Sequence, residues 1–364
     1  MVGARGHIAV EAPEGEAVPS RKRLPSVEVF CSASLNEQNS VVIDLSGKTI
    51  LLTGGTGSFG RAFLHQVTTT WPDAVVRIYS RDELKQVQLR EQFGEEAVRY
   101  LVGDVRDRHR LMRAASGADI IVHAAAMKQI PVCEYNPFEA VQTNVVGTQN
   151  VVDVAIDSGV ERVLALSTDK AVNPVNLYGA TKLCAEKIVI QGNAYAAQSQ
   201  TSLSCVRYGN VMGSRGSVIP LFRQQAEQGR ITITDARMTR FWISLDEAVK
   251  LVLYGLEHMV GGEIFIPKIP SMRITDLAHA ISPDADVDVI GIRPGEKLHE
   301  VLITADETRH SIDAGEVYVV LPEHTWWVAS PRWMEGKPLA DGFVYSSDRN
   351  DRWLAEAEIG ELLP

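Results

Sequence analysis

The chain has 364 residues but only four cysteines, Cys31, Cys133, Cys184 and Cys205, and no two of them stand in a Cys-x-x-Cys spacing. That excludes a disulfide framework and a zinc knuckle, and fits a reducing compartment. The nine histidines form no His-x-x-x-His or His-x-Glu cluster, so no metal site is expected. Neither Cys133 nor Cys184 has an adjacent histidine, which argues against a cysteine nucleophile. Basic residues are in deficit, 36 against 46 acidic, and the net charge of -10 argues against nucleic acid as a principal partner. No apolar run reaches the roughly 18 residues of a membrane-spanning helix. Nor does an apolar core of about 7–15 residues follow a basic start, as a signal peptide requires. Hydrophobic residues at 45% and charged residues at 23% are those of an ordinary globular protein. The expectation is a cytoplasmic α/β protein long enough to bury a large core.

Residues 1–46 differ from the rest. They carry Pro13, Pro19 and Pro25, glutamates at 11, 14 and 16, and the basic run Arg21-Lys22-Arg23, with no sustained periodicity. They read as a flexible extension or an over-long start, with a partner-binding tail as the alternative. Order begins at Lys48. Strands are expected at Thr49–Thr53, Ala74–Tyr79, Val98–Leu101, Ile120–His123 and Arg162–Ser167. Helices are expected at Arg61–Val67, Asp82–Phe93, Arg108–Ser116 and Phe138–Ser158. Alternating strands and helices imply right-handed crossovers and a parallel sheet, and apolar strands without alternation suit a sheet covered on both faces. The fold expected is a Rossmann-type doubly wound sheet over 47–206 with a return around 240–265. A smaller, interleaved part would comprise 207–239 and 266–364, ending in a C-terminal arm.

Between the first strand and helix lies Thr53-Gly54-x-x-Gly57-x-x-Gly60. Glycines serve there because the turn is tight, a pyrophosphate approaches the backbone, and the helix packs close to the strand. The helix N-terminus presents N–H groups and partial positive charge to the phosphates. Gly54, Thr56, Gly57, Ser58, Phe59 and Gly60 are therefore candidate dinucleotide contacts. The second strand ends Tyr79-Ser80-Arg81-Asp82, with Lys85 a turn later. Ser80, Arg81 and Lys85 suit a 2′-phosphate, which favours NADP over NAD. Asp82 either meets a ribose or caps the next helix. Asp104 and Val105, after the third strand, either contact adenine or belong to a helix cap.

Tyr178-Gly-Ala-Thr-Lys182 places a phenol and an ammonium on one helix face. The lysine, with a nicotinamide cation, would lower the phenol's pKa and make it a usable base. Upstream, at a strand end, stands Ser167-Thr168-Asp169-Lys170. The three motifs together are much rarer than any one of them.

With these motifs the sequence resembles the extended short-chain dehydrogenase/reductases. More narrowly it resembles the inverting UDP-N-acetylglucosamine 4,6-dehydratases, which open pseudaminic acid and some capsule-sugar pathways. The resemblance runs from about Lys48 onward through LTGGTGSFG (52–60), SRDELKQ (80–86) and STDKAVNPVNLYGATK (167–182). VRYGNVMGSRGSVIP (206–220), ITITDARMTRFW (231–242), RPGEKLHE (293–300) and DGFVYSSD (341–348) continue it. Retaining hexose dehydratases carry Asp-Glu where this chain has Asp169-Lys170, and sugar 4-epimerases on this fold lack the acid/base pair.

The resemblance implies NADP as cofactor and UDP-N-acetylglucosamine as substrate. Tyr178, Lys182, Asp169, Lys170 and Thr168 become the catalytic candidates. Tyr178 would take the O4 proton as hydride leaves C4, and a neutral Lys170 would remove the C5 proton. Asp169, protonated, would release the 6-hydroxyl as water. The hydride would return to C6, and C5 would be reprotonated on its opposite face. Burial and the cations Lys182 and Lys128 are expected to keep Lys170 neutral. Ala124 is placed beside the cofactor, and Lys128 near cofactor and sugar nucleotide, the alternative being a solvated charge. Asn144 is either an anchor of the site's backbone or a surface amide. Asn210, Arg215, Arg240, Arg293 and Glu296 fall in segments resembling the nucleotide-sugar site, where arginines suit a pyrophosphate. Trp326, Trp327 and Trp333 read as packing rather than ligand contacts. A homo-oligomer, dimer or hexamer, follows by analogy. The rivals are a UDP-sugar 4-epimerase and a non-enzymatic NADP-sensing regulator, but the latter kind of protein typically loses the Tyr/Lys pair.

Overall fold

Short apolar strands joined by helix-length segments pair side by side only through crossovers, and those crossovers build the centre of this protein. The computed structural model describes residues 43–214, 217–324 and 327–363. The extension over 1–42, Arg215 and Trp326 lie outside the described residues. Strands β1 (Thr49–Thr53), β2 (Val75–Ser80), β3 (Val98–Val102), β4 (Ile120–His123), β5 (Arg162–Leu166) and β6 (Ser202–Val206) are all parallel, in the order 3-2-1-4-5-6. Ile264–Pro267 adds to β6 in parallel. Helices α1 (Ser58–Thr70), α2 (Glu83–Phe93) and α3 (Arg108–Ala115) are the first crossovers. Asp82 and Asp107 cap α2 and α3, accepting from the backbone N–H of Lys85 and Arg110 at 3.0 Å each. Ile50, Leu51, Leu52, Ile121, Val122 and Leu164 are wholly buried, as strands covered on both faces require.

The division of the chain falls differently from the expected one. Ser311–Asp313, Val317–Val320 and Lys337–Pro338, within the segment assigned to the smaller part, extend the large sheet antiparallel to a total of ten strands. Thr239–Ile243 instead pairs with Ser271–Arg273 and Asn210–Val211 in a small sheet. Around it a second core gathers Ile219, Phe222, Ile231, Trp242, Met272 and Leu277. At the front end, Leu45 is wholly buried and Ile43 nearly so, both in the main core, although they precede the expected start of order.

The helix expected over 138–158 is interrupted. Pro137–Val141 and Gly147–Asp157 are α-helical, and Gln142–Val146 between them is a π-helical turn. The long helix Leu177–Tyr195 is tied to β6 by a buried ion cluster. Arg207 donates to Glu186 at 3.0 and 2.7 Å, to Glu307 at 3.2 and 2.9 Å, and to the Leu302 carbonyl at 2.8 Å. Trp333 is buried and donates to the enclosed Glu263 at 2.9 Å, which makes it a packing residue.

Candidate active site

In a sheet ordered 3-2-1-4-5-6 the crevice opens between the ends of β1 and β4. The Gly-rich loop follows β1 and the Ala124–Lys128 loop follows β4, so both sit there. Gly54 has φ +68, and a Cβ on it would lie 2.8 Å from the Ala124 carbonyl carbon and oxygen and from the Ala125 Cα. A Cβ on Gly60 would lie 2.3 Å from the Gly55 oxygen, so the helix start rests directly on the loop. Gly57 caps α1 without a side chain, leaving the first turn's N–H groups with no side-chain cap. This cradle fits a pyrophosphate. Thr56 is buried, Ser58 opens α1, and Phe59 stacks on Phe63 at 5.8 Å, so Phe59 offers a ligand backbone rather than ring.

At the end of β2, Ser80 Oγ accepts from Gln86 at 2.9 Å. Arg81 is 59% exposed and 3.7 Å from Asp104, while Lys85 is ion-paired with Asp82, the cap of α2. Burial would raise the Asp104 carboxyl, but hydrogen bonds and charge from Arg106, with Arg81 nearby, hold it below its ordinary value. Val105 is in the core, and its carbonyl accepts from Asn150 at 2.9 Å.

Asn144, in the π-helical turn, is wholly buried and anchors the loop after β4. It accepts from Met127 N–H at 2.8 Å, donates to the Met127 carbonyl at 2.9 Å, and donates to Thr181 Oγ1 at 3.0 Å. The extra residue of a π turn turns the amide toward that loop. Ala124 is half-buried and Lys128 exposed on the same loop.

Beyond β5 the chain makes a short 3-10 turn, Asp169–Ala171, started by Thr168. Asp169 is wholly buried. Its Oδ1 accepts from Thr168 Oγ1 at 2.8 Å and from Lys170 Nζ at 2.9 Å, and its buried Oδ2 has no hydrogen-bond partner in the structure. Lys170 also donates to Asn210 Oδ1 at 3.2 Å. Tyr178, near the start of the helix capped by Asn176, packs against Cys133 and Ala140. Burial pushes its phenol up to about 12, with Lys170 and a hydrogen bond from Thr168 pulling the other way.

Two expectations are corrected here. The Tyr178 phenol is raised rather than lowered, with Lys170 opposing the rise, and Lys182 is itself buried, its charge acting on His123. Burial lowers the Lys182 ammonium. Lys170, conversely, is not depressed. Burial opposes its charge, but Asp169 and Glu300 outweigh that and raise it. Among the cations near it, Arg240 opposes the ammonium.

A cavity of about 150 Å³ opens on this group, lined by Lys170, Asn176, Asn210, Arg240, Glu296 and Glu300 among others. Arg240 gives its guanidinium to the carbonyls of Thr239 (2.7 Å), Lys297 (3.0 Å) and Leu298 (3.1 Å). It therefore shapes the 297–298 segment instead of presenting a free fork. Arg293 is exposed, and its backbone N–H donates to Glu296 at 3.4 Å. Lys297, Glu300 and Asn176 escaped sequence reasoning although the first two lie in the RPGEKLHE string. Asn176 donates to the Gly295 carbonyl at 2.8 Å and Lys297 to the Val172 carbonyl at 2.5 Å, so the 295–300 loop is stitched to the Asp169–Tyr178 segment. Among the described residues no group of His, Cys, Asp or Glu could hold a metal, and no helix is long and apolar enough to cross a membrane.

A family model described as polysaccharide biosynthesis protein matches residues 50–322. A UDP-N-acetylglucosamine 4,6-dehydratase (inverting) of Campylobacter jejuni is 48% identical over 87% of this chain and 98% of its own length. A UDP-glucose 4-epimerase of Rickettsia canadensis is 40% identical over 87% and 95%. The X-ray structure of Pen from Bacillus thuringiensis superposes with a TM-score of 0.81 at 38% identity, covering 88% of this chain and 98% of that one.

Proposed function

The chain belongs to the polysaccharide biosynthesis protein family, and from that premise we propose that it uses NADP to carry out a configuration-inverting 4,6-dehydration of UDP-N-acetylglucosamine, with Asp169, Lys170 and Tyr178 as its reacting groups. The observation that carries this reading is the Asp169–Lys170 pair, bonded at 2.9 Å, with Lys170 on the cavity wall and Tyr178 within reach of its charge. Dehydration needs an acid and a base after the first oxidation, whereas 4-epimerisation needs neither.

Gly54–Gly60 would cradle a nicotinamide dinucleotide, which would supply a reversible oxidant for the sugar. The positive charge of a bound nicotinamide would oppose the burial that raises the phenol, and Tyr178 as phenolate would take the proton of the 4-hydroxyl as C4 becomes a ketone. The ketone acidifies the hydrogen at C5, and Lys170 removes it. Asp169 gives a proton to the 6-hydroxyl, which leaves as water. These last two steps require a neutral amine and a carboxylic acid. Moving one proton from Lys170 Nζ to Asp169 Oδ1 along their hydrogen bond makes both forms at once and conserves charge. The electrons taken at C4 come back at C6, so the turnover has no net redox change.

Thr168 holds Asp169, and Asn210 holds Lys170. Lys182, on the same helix as Tyr178, and Lys128, on the loop after β4, are the further cofactor contacts in this reading. Asn210 and Glu296 face the sugar nucleotide from the cavity wall. The choice of NADP rests on Ser80, Arg81 and Lys85. The working state is a cytoplasmic homo-oligomer, by analogy with the superfamily. The test is to incubate the protein with UDP-N-acetylglucosamine and no added reductant, following the sugar by proton NMR. A new C6 methyl signal beside a C4 ketone is expected. UDP-N-acetylgalactosamine with its C6 hydroxyl intact would mean an epimerase instead.

A further inference from the structure

Glu300 is a carboxylate with three cations around it and a hydrogen bond to none. It is 2% exposed. Its Oε1 lies 3.6 Å from Lys170 Nζ and 3.7 Å from Arg240 Nε, and its Oε2 lies 3.9 Å from Lys297 Nζ. That second oxygen is buried without a hydrogen-bond partner in the structure. Its backbone is pinned, since Glu300 N–H donates to Ser347 Oγ at 2.9 Å and the Glu300 carbonyl accepts from Ser347 N–H at 2.8 Å. Arg240 is fixed by the carbonyls it serves, so the carboxylate sits at the centre of a rigid cage. An enclosed carboxylate normally closes one short, bidentate pair. Here it is shared.

We propose that Glu300 is the common counter-ion of the site and that, together with Lys297, it decides whether Lys170 or Asp169 holds the shared proton when the sugar enters. This rests on the dehydratase reading above. The groups facing Lys170 are Asp169 from its own turn, Tyr178 from the long helix, Arg240 from the small sheet, and Lys297 and Glu300 from the 295–300 loop. Asp169 and Glu300 favour the ammonium, while Arg240 and Lys297 oppose it. Lys297 is itself under strain as a cation. It is 12% exposed, and burial lowers its ammonium below the ordinary lysine value despite Glu300 and Asp169. Any movement of the Glu300 carboxylate toward Lys297 and Arg240 withdraws support from the Lys170 ammonium and drives its proton onto Asp169. Glu300 and Lys297 are thus positioning residues that act through Lys170.

The test is the pH dependence of kcat at saturating UDP-N-acetylglucosamine for the full chain and the variants Glu300→Gln, Glu300→Asp and Lys297→Met. The acid limb reports loss of the second proton from the Asp169–Lys170 pair, which works with one proton between its two members. An opposite charge at this range is worth about one to three pH units. Glu300→Gln is expected to move the acid limb down by that much, Glu300→Asp to leave it near the wild-type position, and Lys297→Met to move it up. A purely structural role would lower kcat at every pH without moving the limb. Limbs that stay put, or that move in the same direction in Glu300→Gln and Lys297→Met, overturn the proposal. If Glu300→Gln does not fold, Lys297→Met carries the test, and an unmoved or lowered limb overturns it. A wild-type protein that performs no dehydration would overturn the dehydratase reading itself, which distinguishes the two failures.

Discussion

Replacing Asn144 by alanine removes three hydrogen bonds from a fully enclosed position, two with the Met127 backbone and one with Thr181. Each is worth about 0.5–1.5 kcal/mol net, and the Met127 N–H and carbonyl left behind are shielded from water, so a loss of about 2–4 kcal/mol is expected. At about 2–4 °C per kcal/mol for a large domain, thermal unfolding should fall by roughly 5–10 °C. The functional cost comes from a second source. Met127 immediately precedes Lys128, and Ala124 on the same loop lies against the cradle at Gly54, so releasing the loop loosens both proposed cofactor contacts. Cofactor affinity, read by fluorescence titration, should drop about tenfold, equivalent to about 1.4 kcal/mol. Asn144→Asp keeps an acceptor for the Met127 N–H but no donor for its carbonyl, so its loss should be of similar size. A variant with wild-type melting temperature and cofactor affinity would refute the anchor role.

Three further outcomes follow from the geometry. Gly54→Ala places a methyl 2.8 Å from the backbone of residues 124 and 125 at φ +68, and should abolish cofactor binding while leaving a folded protein by circular dichroism; binding retained would be inconsistent with the cradle. Arg81→Ala should weaken NADP by about ten- to a hundredfold while sparing NAD, and equal effects on the two would remove the basis for the NADP assignment. His123 is enclosed between Thr53 and Thr148, and burial, with Lys182 beside it, lowers its pKa to about 3. Its unfolded value is near 6.5, so as pH falls the unfolded chain takes the proton first. Stability should therefore decline from about pH 6.5 toward about 3 by about 1.4 kcal/mol per pH unit from this residue. Urea midpoints across that range should show a shallower decline in His123→Gln than in the wild type, and identical slopes would count against the argument.

The parallel core was legible because each strand is a short apolar run and each crossover has its own periodicity, so β1, β4 and α2 lie within a residue of where the pattern puts them. Three features were not. The π-helical turn at 142–146 lies inside what reads as one helix over 138–158, and it shows only in the backbone, where Gly147 N–H donates to the Gln142 carbonyl five residues back. Ile43 and Leu45 are buried as isolated residues in a segment without periodicity, which no pattern rule detects. The outer strands of the large sheet are short, although Val317-Tyr-Val-Val320 is an apolar run that could have been read as one. At the site, the Asp169–Lys170 pair was visible because its members are adjacent. Its charge state was misjudged because Glu300, which joins Asp169 in holding the ammonium, comes from a distant loop.

The central claim is that one buried acid–base pair eliminates water across C5 and C6 and that C5 then regains a proton on its opposite face. It is tested most directly by running the reaction on UDP-N-acetylglucosamine in heavy water and determining the label and configuration at C5. The account predicts a 4-keto-6-deoxy sugar carrying solvent deuterium at C5 in the L configuration, formed at a rate that Lys170→Ala lowers by about a hundred- to ten-thousandfold. A product that retains the original C5 configuration, or whose C5 hydrogen never exchanges, would contradict it.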